Sequence, residues 1–235
     1  MLEGSFVPMN REDFLARVKE AVHAGRMHGV ETRPIAPTAG YIGGGTDLPA
    51  RMAEEVNAVG GLAHVAANID DARRRLAQLL DELRPARCLC WQHPLLDELG
   101  VPTMLESHNV ERLTHDRLTE LPADELRARS LAADIGITAC NYAVAETGTV
   151  ALSSAAGRER VASLLPPVYI TLVDEAVLVP DLFDLFDRLG AAGLDTLPSN
   201  LALITGPSKT GDIELQLTTG VHGPGIWHVI IIRRK

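Results

Sequence analysis

The chain has 235 residues, is 46% hydrophobic and carries a formal net charge of −9. That length and apolar content fit one compact α/β domain with at most a small appendage, and they allow a substantial core. The acidic balance, the lack of a basic block and an aromatic content of only 4% argue against a nucleic-acid surface, which needs clustered Lys and Arg beside stacking rings.

The N-terminus, "MLEGSFVPMNREDF", has no basic region followed by a long apolar stretch, and no run elsewhere reaches membrane-spanning length. The expectation is a soluble, cytoplasmic protein without membrane insertion. Asn10 is a good helix cap with Asp13 three residues on, and Phe14, Leu15, Val18, Ala21 and Val22 recur at helical spacing. "HGVETRPIAPTAGYIGGG" then reads as a linker, because Pro and Gly punctuate it. Residues 1–45 are therefore expected to form a helical arm and linker, and residues 46–235 the α/β domain.

Alternation begins at Thr46. "LPARMAEEVNAVG" predicts a helix ending at Gly60, "GLAHVAA" a strand, and "DDARRRLAQLLDEL" an amphipathic helix with Leu76, Leu79, Leu80 and Leu83 on one side. "ARCLCW" reads as a strand, Pro94–Leu99 as a short helix, "VPTML" as a strand, "PADELRARSLAA" as a helix and "DIGIT" as a strand. "TVALSS", "PVYITLV" and "AVLVP" are strand-like, "DLFDLFDRLG" is helical, "LALIT" is a strand, "DIELQLTT" a short helix, and "GIWHVIIIRR" a final buried strand. Strands alternating with helices imply a mostly parallel, Rossmann-like sheet with helices on both faces. Ligands of such sheets sit in loops beyond the carboxyl ends of strands.

Cys88, Cys90 and Cys140 are too few for a disulfide framework. Cys88-Leu89-Cys90 matches neither a zinc knuckle nor an iron–sulfur run and reads as two buried thiols on one strand face. "GYIGGGTD" has glycines without the strand and helix that frame a dinucleotide fingerprint, so no flavin or nicotinamide motif is recognised. The cofactor, if any, stays unknown.

Three short stretches carry chemical potential. In "ITGPSKTGDIE" an apolar run meets Gly206, Ser208, Lys209 and Thr210, with Asp212 opening the next pattern. Backbone N–H groups with Ser, Lys and Thr donors predict an anion pocket, and a plain turn before a capped helix is the competing reading. In "AVAETGTVALSS", Glu146 precedes Thr147, Gly148 and Thr149. Gly148 lets backbone approach a ligand closely, and Glu146 is a candidate base or nucleophile. In "GVHGP", His222 lies between glycines as a candidate acid, base or anion donor. Arg158 and Arg160 are candidate anion clamps, and His93 ends a strand. Glu106 and His108, just after "VPTML", alternate as strand neighbours, whereas His108 and His115 lack the spacing of a helical metal pair. No metal site is assigned.

"DIGITACNYAVAETGTVAL", "RVASLLPPVYITLVD", "ITGPSKTGDIELQLTTGVHGP" and "WHVIII" occur in one order, and together they resemble the LUD-domain family in its lactate-utilisation protein C branch. The resemblance implies a fold of the NagB/RpiA/CoA-transferase type. It also implies a part in oxidising L-lactate to pyruvate alongside iron–sulfur partner proteins, with a small anionic ligand, and it leaves the chain's own catalytic role unsettled. Glu146 and His222 become the catalytic candidates, and the other loop residues the ligand-binding ones. The alternative is a stand-alone enzyme or sensor of an organic-acid, phosphorylated or CoA-type ligand at the Glu146, Lys209 and His222 loops. One departure is visible: the family's usual Gly-Pro-Ser-Arg-Thr-Ala-Asp has Lys209 and Gly211 here, and Lys lacks the planar bidentate fork of Arg.

Overall fold

The computed structural model describes residues 10–26, 43–193, 198–210, 218–219 and 222–234. The chain divides into two units, residues 1–41 and 42–235. In the first, helix α1 (Arg11–Arg26) starts where the sequence signals it. The Asn10 side chain accepts the Asp13 N–H at 2.9 Å and donates to the Asp13 carboxylate at 2.7 Å.

The second unit opens with α2 (Leu48–Ala58), β1 (Leu62–Ala66) and α3 (Ile69–Leu83). Leu76, Leu79 and Leu80 of α3 are buried, as the helical spacing predicts. β2 (Arg87–Cys90), α4 (Pro94–Glu98), α5 (Val101–Ser107), β3 (Glu111–Leu113), α6 (His115–Thr119), α7 (Ala123–Leu131) and β4 (Ile135–Ala139) follow. The "VPTML" stretch is helical, not a strand. Gly100, with φ +70, precedes α5, and Pro102 sits in its first turn, where a missing N–H costs nothing. Glu106 and His108 are thus not strand neighbours. His108 caps α5, its Nδ1–H donating to the Met104 carbonyl at 2.7 Å while Nε2 lies 3.3 Å from Asp81.

The chain then makes two excursions. After β4 come β5 (Tyr142–Val144), β6 (Thr149–Ser153) and α8 (Val161–Leu164), before β7 (Val168–Asp174). After β7 come β8 (Leu178–Val179), α9 (Leu182–Ala192), β9 (Leu201–Thr205), β10 (Lys209–Thr210) and β11 (Thr218–Thr219), before β12 (Ile226–Ile232). The helix expected over Asp212–Thr219 fails at its end, because Thr218 and Thr219 pair antiparallel with Thr210 and Lys209. Its start lies outside the described residues.

Six strands form the main sheet in the order β1-β12-β7-β4-β2-β3, every pair parallel, and helices flank it. β12 runs buried from Trp227 to Ile232, the continuous apolar pattern of a strand covered on both faces. The excursions supply a second sheet, β8-β5-β6-β9, in which β5–β6 and β6–β9 are antiparallel. Its alternate residues point two ways, as the pleat dictates. Ala143, Val150, Leu152 and Leu178 enter the main core, whereas Val144, Ala151 and Val179 pack with Leu185 of α9.

Arg234, just past β12, occupies the carboxyl end of the central strands. It pairs with Glu98 at 2.6 and 2.8 Å and with Asp174 at 2.5 and 2.9 Å. All three cysteines are buried and free, and burial pushes the Cys140 thiol up to about 12.

Candidate functional site

β9 belongs to the antiparallel sheet and not to the parallel one. The Gly206–Thr210 loop that follows it therefore meets the amino ends of β7 and β12, where the His222 loop enters β12. This corrects the expectation of a site beyond the carboxyl ends of parallel strands.

The two loops are stitched together: the Ser208 N–H donates to the Pro224 carbonyl at 2.9 Å. A Cβ on Gly223 would lie only 3.1 Å from the Ser208 Cβ, so a glycine there permits the close approach. Gly206, Ser208, His222 and Gly223 line a cavity of about 170 Å³ with Ser163, Leu164 and Ile204. Tyr169 and Trp227 form its aromatic wall. These rings start adjacent strands in register, and each is anchored in the core. The Tyr169 hydroxyl and Thr138 Oγ1 are 2.7 Å apart, and the Trp227 indole N–H donates to Thr171 Oγ1 at 2.9 Å. Burial raises the Tyr169 phenol well above its ordinary range, against the lowering effect of the Thr138 and Thr171 bonds. The cavity thus pairs a rigid aromatic wall with a hydroxyl and an imidazole, the usual make-up of a small-molecule pocket.

Other expected site residues lie elsewhere. Glu146, Thr147 and Gly148 form the turn between β5 and β6, and the Glu146 Oε1 accepts the Gly43 N–H at 2.9 Å. The close approach that Gly148 allows is made to a helix: a Cβ there would stand 2.6 Å from Val56 N. Thr147 reaches the hydroxyl of Thr149 at 2.7 Å, and Thr149 reaches Thr205 at 2.7 Å, next to Gly206. This hydroxyl chain ties the β5–β6 turn to the base of the Ser208 loop without placing Glu146 or Thr147 in the cavity lining. The Lys209 ammonium donates to the Val59 carbonyl at 2.6 Å, at the carboxyl end of α2, where a cation is favoured. Thr210 lies in β10, and Asp212 lies outside the described residues.

Tyr169, Trp227 and Ser163 are lining residues that sequence reasoning passed over. Tyr169 and Trp227 sit in runs whose periodicity signals only buried strands, and nothing local marks Ser163. At the other end of the sheet, His93 caps α4 through its Nδ1. Its pKa is lowered by burial and then by the Arg158 charge. Among the described residues, no three His, Cys, Asp or Glu side chains gather into a metal-binding group, and no helix is long and apolar enough to cross a membrane.

Comparison with known proteins places this architecture in a family. The chain is 31% identical over 228 residues to lactate utilization protein C of an Exiguobacterium strain, covering 92% of each chain. It is 37% identical over 158 residues to lactate utilization protein C of Halalkalibacterium halodurans, covering 66% of each. The fold is similar to a crystal structure of a DUF162 family protein from Deinococcus radiodurans, with a TM-score of 0.55 at 20% identity, over 85% of this chain and 100% of that one. The LUD domain family matches residues 49–232, which span both sheets and the stitched loops, and the chain belongs to that family.

Proposed function

We propose that this protein is a component of L-lactate utilisation, the oxidation of L-lactate to pyruvate, acting with iron–sulfur partner proteins in the cytoplasm. The observation that carries the reading is the match to relatives named for lactate utilisation, one of them along 92% of both chains. Removing two electrons and two protons from lactate requires an acceptor. This sequence has no cluster-binding cysteine run and no flavin or nicotinamide fingerprint, and the iron–sulfur partners fill that role in the proposal.

The Ser208–His222 cavity is the proposed organic-acid site. The Ser208 hydroxyl donates to a carboxylate or 2-hydroxyl oxygen, the exposed His222 imidazole hydrogen-bonds or exchanges a proton at the rim, and the aromatic wall packs the methyl group. Engagement of the Glu146 carboxylate by Gly43 favours this cavity over a Glu146-centred enzyme. Reconstitution with the purified iron–sulfur partners tests the reading. L-lactate oxidation is expected to need this chain and to fall at least tenfold in Ser208→Ala and His222→Ala proteins of wild-type stability. Full activity without the chain refutes the proposal.

A further inference from the structure

A second cavity of about 170 Å³ adjoins the first. Ser163, Leu164 and Ile204 line both. Beyond them the second cavity is bounded mostly by apolar groups, among them Trp91, Leu152, Ala202 and Leu203, with Arg160 as its charged member. Leu164 and Leu203 are 42% and 43% exposed, leaving apolar surface open beside the cavity. Arg160 is exposed, and among the described residues its guanidinium makes no ion pair.

One such chamber already suffices for lactate. An engineered apolar cavity of about 150 Å³ takes up benzene, and a three-carbon acid is no bulkier. The adjoining chamber is surplus to that ligand, yet it pairs apolar walls with a guanidinium that has no ion-pair partner among the described residues, the group best shaped for a carboxylate. We propose that the two chambers together hold a longer aliphatic carboxylic acid. Its carboxylate lies on Arg160 and its chain crosses Leu164 and Ile204 toward the Tyr169–Trp227 wall. The inference rests on the Ser208–His222 cavity being an organic-acid site and extends it to medium-chain acids: the longer acid keeps its apolar end on the same aromatic wall and carries its carboxylate to Arg160 in place of Ser208.

Calorimetric titration of the full chain with L-lactate and with the straight-chain acids from propanoate to octanoate tests it. Burial of each methylene is expected to tighten binding about fourfold, so heptanoate binds roughly 60-fold better than butanoate. Arg160→Gln is expected to weaken heptanoate by about tenfold and to leave heptanol unchanged, because only the charge-assisted pair is lost. Ala202→Leu fills the second chamber and is expected to flatten the chain-length series, with the melting temperature reporting that the protein remains folded. Binding of lactate with a flat series in the wild type overturns the inference and leaves the lactate reading intact. A steep series without lactate binding supports the inference and removes lactate as the ligand. No binding by any acid overturns it.

Discussion

Gly148→Ala tests whether the β5–β6 turn is seated on α2. Gly148 has φ +62, and a Cβ would fall 2.6 Å from Val56 N and 2.8 Å from the Glu55 carbonyl carbon. Both atoms are helix backbone, so no side chain can swing aside. The left-handed conformation costs an alanine about 1–2 kcal/mol, and forcing an extra carbon into a packed contact costs about 1–3 kcal/mol more. A loss of roughly 2–5 kcal/mol lowers the melting temperature of a domain this size by about 4–20 °C. Gly190→Ala is the matched control. It lies in α9 with nothing within 4 Å of the added Cβ, and it is expected to be neutral or to stabilise by about 0.5–1 kcal/mol. Thermal unfolding followed by circular dichroism reads both. A Gly148→Ala protein melting within about 2 °C of wild type refutes the reasoning, since at ~2–4 °C per kcal/mol the contact would then be worth under ~1 kcal/mol.

Three further outcomes follow from the charges and thiols. His64 Nδ1 accepts from Arg75 Nε at 3.2 Å, so neutral His64 carries its proton on Nε2, 3.2 Å from His228 Nδ1. Burial first, then the Arg75 and His228 charges, lower His64 from 6.5 to about 4. Because the folded value lies below the unfolded one, the unfolded chain binds more protons between those pH values, and stability falls as pH drops from 6.5 toward 4. Ring-proton NMR should show His64 failing to titrate near its ordinary pH, and a normal titration contradicts the pairing. Around Arg234, burial alone would raise Asp174, but the Arg234 and Ala176 hydrogen bonds and the Arg234 charge outweigh it and hold the carboxyl below its ordinary range. The Arg234 hydrogen bond likewise lowers Glu98. Depressed carboxyls contribute stability above their unfolded values and lose it as pH falls through the folded ones. Arg234→Met should therefore lower the melting temperature at pH 7 more than at pH 3, and equal losses at both contradict the assignment. Cys88, Cys90 and Cys140 should resist iodoacetamide in the native protein and react together on denaturation, as mass spectrometry will show; fast native alkylation contradicts their burial.

Most elements were legible locally. Asn10 marks a helix start by its side-chain cap, and the Leu76, Leu79 and Leu80 stripe and the Val229–Ile232 run declare their burial by spacing alone. "VPTML" carries a strand-like pattern because Val and Thr favour strands, while Pro102, following Gly100 and Val101, sits in the first turn of a helix. Periodicity over five residues does not separate the two.

Family membership was also carried by the sequence, through motifs whose order needs no coordinates. What the sequence determined by itself was most of the longer helices, most strands, the buried thiols and the stretches that matter. Only the tertiary structure decided which sheet each strand joins, because an apolar strand such as Leu201–Thr205 has the same pattern in a parallel or an antiparallel partner set. That choice carried the Ser208 loop to the amino ends of β7 and β12. It also brought Tyr169 and Trp227, remote in sequence and hidden in apolar runs, together as the wall of its cavity. Glu146 turned toward Gly43 and Lys209 toward Val59 for the same reason: a local motif names its donors and acceptors, and long-range packing selects their partners.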